Sequence, residues 1–400
     1  MNRKTIYTIA IILIIFFVFL NPFRKRRTSE VPPPYVRSDT VEMLSDYITA
    51  NFEPPAEYLA SKFRDHSIVF VGEFGFVKQQ VDVIRQAIPK LYERGVRVLA
   101  VEFALFEDTP RIDEILTADA YDEIAVHEVL FNRLVIWGFD DYAQLFQAAW
   151  EINANRSEGE EPFRIVGLSV PIQWEFLVKE RDMRDPEVIA KVYKHGAPDE
   201  FMAKTIIDEF VRKDVRALVY TSLQHVFTKF VITDYAERAR ELGLNEDRRA
   251  GNIVYDRIGS DATTVIFHAP WPYNRSQALV THPAEGAIAK LLESLPEEYH
   301  FAGFDTHGTP FGDLDSERND FAKGHDDLTL GQLCDGYIIT GPITAFEPVT
   351  QIPGFITDDN LEEALRRFPG PNMDPVSAEE LNTYIGSLIE NSQKIFERFD

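Results

Sequence analysis

Glu73, Glu102, His225 and His268 are the residues of this chain whose types could do chemistry together. A carboxylate can activate water or hold a metal, and an imidazole can pass a proton near neutral pH or bind the same metal. Each follows a short run rich in apolar or β-branched residues: Ile68 to Val71 before Glu73, Val96 to Val101 before Glu102, Arg216 to Tyr220 before His225, and Thr263 to Phe267 before His268. A fifth run, Phe301 to Phe304, leads into Asp305 and His307, which are assigned to substrate binding. Such runs, bounded by turn residues, read as strands buried on both faces. Taken singly, each residue has an ordinary structural explanation. Glu73 can accept backbone N–H bonds at the start of a helix, Glu102 can pair with an arginine, and a lone histidine is commonly a satisfied structural group. Their recurrence at the ends of successive strands is what selects them. The set suits general acid–base catalysis or an N/O metal site; no spacing forms a local metal motif such as His-Glu-x-x-His, so the metal is left open.

The elements that must position these groups follow from periodicity. Between Glu73 and Glu102, Val77, Val81, Ile84, Ile88 and Leu91 recur three and four apart, which predicts a helix from Val77 to Arg94, kinked at Pro89 and closed by Gly95. Strand, helix, strand in this order is a β-α-β unit with parallel strands, so both carboxylates fall at the carboxyl edge, where open α/β sheets bind ligands. The expected fold is therefore α/β, a mainly parallel central sheet flanked by helices. Asp39 to Phe63 reads as a peripheral helical stretch broken at Pro54-Pro55. Tyr121 to Val135 and Asp140 to Asn155 read as helices, the second capped by Asp140 or Asp141. Phe163 to Leu168 is a further strand, Trp174 to Val211 is mostly helical, and shorter helices are expected at 233–242 and 287–295. The tail carries helices at 359–367 and 378–399.

Composition narrows the function. The net charge is −24, and the first 27 residues hold six Lys/Arg and no acid, so the chain beyond them is more acidic still. Such a surface repels phosphate backbones, and no nucleic-acid partner is expected. The single cysteine, Cys334, excludes an intramolecular disulfide framework and any Cys-rich metal site. No Walker A, Gly-x-Gly-x-x-Gly or Gly-x-Ser-x-Gly sequence occurs, which removes the main support for nucleotide chemistry and for an ordinary α/β-hydrolase. Ile6 to Leu20 is apolar apart from Thr8 and is followed by Asn-Pro-Phe and four basic residues rather than a cleavage site. It reads as an uncleaved single-pass membrane helix whose orientation stays open. The expected organisation is a membrane anchor over 1–27, a proline-containing tether and peripheral helix over 28–60, an α/β domain over 61–345 and a helical extension over 346–400.

Several of these residues resemble a known superfamily, the one grouping erythromycin esterases, ChaN-type haem-uptake proteins and Tiki-like proteases. Val71-Gly72-Glu73, the next helix and Ala100-Val101-Glu102-Phe103 resemble the opening of that domain. Trp137 with Trp150-Glu-Ile-Asn153 is similar to its helical section. Asp199-Glu-Phe-Met-Ala203 and Ala217-Leu-Val-Tyr-Thr-Ser-Leu-Gln-His225 are similar to its second half. The likeness extends over about residues 60 to 345. It implies Glu73, Glu102 and His225 as site residues and a small-molecule or peptide ligand. The family's first motif is Gly-Glu-x-x-His; here Phe76 stands where that histidine is expected, and is assigned to substrate binding. In the second motif Ser222 replaces the glycine while His225 is kept. The resemblance implies a hydrolase of an ester or amide, which the apolar run at the N-terminus would anchor to a membrane. Its alternative is a non-catalytic, membrane-tethered protein binding a small ligand, with a divalent metal or haem as the implied cofactor or cargo. The hydroxyls of Thr221 and Ser222 are lesser candidates for a nucleophile.

Overall fold

The computed structural model describes residues 31–177, 185–241, 243–244, 246–273, 276–368 and 377–400. The expected anchor over 1–27 lies outside the described residues. Among the described residues no helix is long and apolar enough to cross a membrane.

Seven strands form one sheet: β1 (Ile68–Glu73), β2 (Val98–Leu105), β3 (Arg164–Ser169), β4 (Ala217–Ser222), β5 (Ala262–Phe267), β8 (Phe301–Asp305) and β9 (Gly336–Thr340). A short antiparallel hairpin, β6 (Trp271–Tyr273) and β7 (Ser276–Thr281), stands apart. The spatial order is β3-β2-β4-β1-β5-β9-β8, and every neighbouring pair is parallel except β8 with β9. All residues of β1, β2, β5 and β9 are buried. Coverage on both faces is the reason these strands read as continuous apolar runs rather than alternating ones.

The helix after β1 spans Lys78–Glu93 with Pro89 inside it, and it buries Val81, Ile84, Ile88 and Leu91. Gly95 follows with φ +73°, the left-handed closing residue expected there. The strands this helix joins are not neighbours: β4 lies between β1 and β2. The helix Asp140–Ala154 begins at the expected residue, but its cap is not an aspartate. Phe139 occupies the cap position, and Asp140 and Asp141 fall in the first turn, where their charge suits the helix N-terminus.

Two stretches read as peripheral or appended join the core. Leu44, Ile48, Tyr58 and Leu59, on the helices Ser38–Ala50 and Pro55–Ser61, are almost wholly buried. The segment after β9 crosses the carboxyl edge of the sheet. There Val349 N–H donates to the Phe76 carbonyl at 3.1 Å, Asp140 N–H to the Thr350 carbonyl at 2.8 Å, and Ile352 N–H to the Gly138 carbonyl at 2.9 Å. The long helix Ala378–Phe396 then brings Phe396 against Phe74 and Phe346. Residues 346–368 and 377–400 thus roof the edge that carries the candidate site.

Candidate active site

The site is built where β2, β4 and β1 end side by side. Ser222 is the in-register partner of Glu73 on the neighbouring strand. Its N–H and hydroxyl both donate to Glu102 Oε2, at 2.9 and 2.7 Å. β4 is the wedge that brings the two glutamates to one place. Glu102 is not at a strand end, as expected from sequence, but inside β2, where the register with β3 shifts between Val101 and Leu105. Irregularities of this kind re-aim a side chain, and here the strand stays in the sheet while Glu102 turns to β4.

A tight turn, Leu223–His225, follows β4 and delivers His225. Gly72 permits it: a Cβ there would stand 2.7 Å from Val226 Cγ2 and 3.0 Å from Leu223 Cα, so any larger residue would push the turn away. The His225 ring is buried, with Nε2 3.9 Å from Glu102 Oε1 and 3.4 Å from the Gln224 amide nitrogen. Its Nδ1 is 2.7 Å from Asp199 Oδ1.

Asp199 is the anchor of this arrangement and was not selected from sequence as a functional residue. It sits in the first turn of the helix Pro198–Glu209, so its sequence signal is that of any acidic residue at a helix start. Folded, it is buried and accepts from Arg249 Nη1 at 2.9 Å, the Ala250 N–H at 2.8 Å and the Tyr235 hydroxyl at 3.0 Å, besides facing His225. Arg249 caps the helix Ala250–Ile258, and Gly251 lets that helix approach, because a Cβ there would meet the Phe227 carbonyl at 2.5 Å. Burial alone would raise the Asp199 pKa; the charges of His225 and Arg249 and its hydrogen bonds outweigh it and hold Asp199 well below the usual carboxylate range. Burial likewise opposes charge on His225, and the carboxylates of Asp199 and Glu102 overcome it, so its pKa is raised. Arg249 Nη2 also donates to Gln224 Oε1 at 3.2 Å and fixes the side-chain amide beside His225.

Glu73 has the opposite environment. It is buried and accepts from the hydroxyls of Tyr142, at 3.0 Å to Oε2, and of Tyr220. Desolvation, reinforced by the nearby Glu102 charge, pushes its pKa up to about 8 against those hydrogen bonds, so it is protonated at neutral pH. Two carboxyl groups with environments of different kinds, one neutral and one beside an imidazole, are a pattern that divides acid and base roles.

Of the remaining sequence-selected residues, His268 stays at the carboxyl edge on the strand next to β1 but is held by other partners, while Asp305 and His307 lie elsewhere. His268 is buried after β5, with Nδ1 2.9 Å from the Tyr337 hydroxyl and its ring against Phe346. Burial, then His282, depresses its pKa to about 3. It is thus a neutral, satisfied core group, and no hydrogen bond or ion pair joins it to Glu73, Glu102 or His225. Asp305 and His307 are at the other edge. β8 runs antiparallel, pairing Asp305 with Gly336 at the start of β9, so the end of β8 lies with the amino ends of the parallel strands. There Asp305 accepts from Tyr58 and Lys62, and exposed His307 lies 3.7 Å from Asp335. The expectation that this pair shares the substrate edge is corrected: an apolar run does not reveal its direction in a sheet.

Phe76 is wholly buried, with its ring 4.8 Å from that of Phe139 and 6.2 Å from that of Trp137. Its φ of +62° is uncommon for a bulky residue and costs on the order of 1–3 kcal/mol. Its N–H donates to the Tyr142 hydroxyl at 3.3 Å, the same hydroxyl that binds Glu73. The side chain belongs to an aromatic cluster, while the backbone supports the Glu73 cradle. Phe76→His is therefore expected to lower stability by roughly 2–4 kcal/mol through an imidazole set among aromatic rings, with no gain in hydrolysis. Urea unfolding and aryl-ester turnover measured together check this; a rise in turnover would show that the position still serves the chemistry.

At the site, His225 and Glu102 are the donors that could face a divalent metal. His225 Nδ1 is taken by Asp199, its Nε2 is 3.9 Å from a single Glu102 oxygen, and these residues do not form a trio of ligand atoms within 4.8 Å of one another. Among the described residues such a trio occurs at Glu123, His127 and Asp140, which are exposed or partly exposed and take no part in this site.

No protein-family model matches the chain, and no curated protein sequence does. Solved structures do. A succinoglycan biosynthesis protein is similar at TM-score 0.52 and 10% identity, over 79% of this chain and 98% of that one. An erythromycin esterase, the EreC mutant in its open conformation, gives 0.42 at 12% identity over 72% and 96%. The ChaN protein of Campylobacter jejuni, described by its haem binding, gives 0.33 at 11% over 53% and 85%. The likeness is one of fold.

Proposed function

We propose that this protein hydrolyses an ester or amide of a small molecule, with Glu102 and His225 as the reacting pair. The observation that supports the reading is their geometry: 3.9 Å between Glu102 Oε1 and His225 Nε2, too long for a direct bond and suited to a water or carbonyl oxygen held between them. Glu102, positioned through its other oxygen by Ser222, takes a proton from that water as its oxygen attacks the carbonyl carbon. His225, charged and oriented by Asp199, gives its Nε2 proton to the leaving oxygen or nitrogen as the bond to carbon breaks. The proton on Glu102 then returns to His225, and both groups are restored. Glu73, neutral below about pH 8, serves beside them as a buried acid rather than as the base.

The test is turnover of aryl esters and anilides by the full chain, with metal analysis of the same preparation. Hydrolysis without stoichiometric metal supports the mechanism. Tight uptake of a ligand with no turnover would replace it by a binding protein.

The reading includes attachment to a membrane through residues 1–27. Cell fractionation is expected to find the chain in the membrane fraction with its N-terminus intact. A soluble form beginning after residue 20 would remove the anchor.

A further inference from the structure

Beside Glu102 lies a cation that the proposed chemistry does not use. Arg133, at the end of the helix Glu123–Arg133, is 7% exposed, and its Nε donates to the Glu102 carbonyl at 3.1 Å. The same carbonyl also accepts from the Ser169 hydroxyl at 2.5 Å. No carboxylate lies within ion-pair distance of Arg133 among the described residues, and its Nη1 is buried without a hydrogen-bond partner. Tyr193, which follows the helix Pro186–Val192, is 8% exposed, and its hydroxyl is likewise buried without a partner. The two are electrostatic neighbours: Arg133 opposes the burial that raises the Tyr193 pKa, and burial lowers that of Arg133 while Glu102 and Tyr193 resist.

Leaving a guanidinium N–H and a phenol O–H dry and unpaired is costly, because each has given up water without gaining a partner. A phenol oxygen can accept from a guanidinium, but the two groups make no such bond here, so each keeps a proton for a ligand. What answers both is an acceptor carrying negative charge, and an arginine fork is suited to carboxylate and phosphate oxygens.

We propose that Arg133 Nη1 and the Tyr193 hydroxyl form an anion-binding subsite beside Glu102, so that the substrate is an ester or amide carrying a carboxylate or phosphate group. This deepens the hydrolase reading and rests on it for the word substrate; the subsite itself is independent of turnover. It also assigns a role to the buried charge, since a guanidinium attracts an anionic substituent into a region already holding two glutamates.

The test is binding of inorganic phosphate and of benzoate to the full-length protein in detergent, by calorimetry at constant ionic strength with chloride as reference. Wild type is expected to bind at least one of the two well above chloride. Arg133→Gln is expected to lose that binding, and Tyr193→Phe, which removes one oxygen and keeps the ring in place, to weaken it about 10-fold. Tyr193→Phe keeps the idea falsifiable even where Arg133→Gln fails to fold. Binding no stronger than chloride, or a Tyr193→Phe protein that binds like wild type, overturns the subsite and leaves the two donors to water. A preparation that takes up the anion through these residues without hydrolysing any ester upholds the subsite while removing the hydrolase reading.

Discussion

His225→Ala is expected to lower ester hydrolysis by at least about 10²-fold, and by as much as about 10⁴-fold, the range that a positioned general acid or base contributes. The loss reads as chemistry rather than collapse because the surroundings of His225 are over-determined. Without the imidazole, Asp199 keeps Arg249, the Ala250 N–H and the Tyr235 hydroxyl, so its buried charge remains paired. Glu102 keeps both Ser222 donors. The fall should therefore come in kcat, with the unfolding midpoint changed little by comparison. Steady-state kinetics and urea unfolding on the same variant separate the two. Full activity in His225→Ala would overturn the mechanism.

Glu73→Gln is expected to remove a large part of the pH dependence of stability. The carboxyl pKa rises from 4.5 to about 8 on folding, so between those values the folded chain binds a proton that the unfolded chain has released. A group of this kind loses stability as pH rises through the window, and is least costly below pH 4.5. Wild type should lose a few kcal/mol from this group between pH 5 and 8. The amide has the carboxyl's shape and no charge to desolvate, so the variant should be the more stable protein at pH 8 and close to wild type at pH 5. Glu246, raised to about 7 by burial and then Asp199, and His225, whose folded pKa is also raised, contribute with the same sign. They are common to both proteins, and the difference between the two curves isolates Glu73. Parallel curves from urea unfolding at pH 5 and 8 would show that Glu73 is not the buried neutral acid described here.

The sequence by itself determined the strands and their burial. Ile68 to Val71, Val96 to Val101, Arg216 to Tyr220, Thr263 to Phe267 and Phe301 to Phe304 all overlap strands of the sheet, because continuous β-branched and apolar runs have few stable alternatives to a doubly covered strand. One central strand went unread. Gly336–Thr340 is β9, and it matters because its pairing reverses the reading of β8. Local sequence also selected Glu73, Glu102 and His225, which follow or interrupt such runs.

What only the tertiary structure decided is who meets whom. Strand order is a long-range property: nothing local to residues 217–222 states that they insert between two strands joined by a helix more than a hundred residues earlier. That insertion places Ser222 between the glutamates and His225 against Glu102. The partners that set the chemistry, Asp199 and Arg249 for His225, and Tyr142 and Tyr220 for Glu73, come from distant helices or an adjoining strand and look ordinary in their own segments. Ionisation was equally out of reach of the sequence. Glu73 and Asp199 are both buried carboxyl groups, and they depart from their ordinary pKa values in opposite directions: at Glu73 desolvation, reinforced by Glu102, prevails over the phenol hydrogen bonds, while at Asp199 a histidine and an arginine outweigh it. Side-chain type fixes what a group can do, and the charges and dipoles folded around it fix which of those things it does.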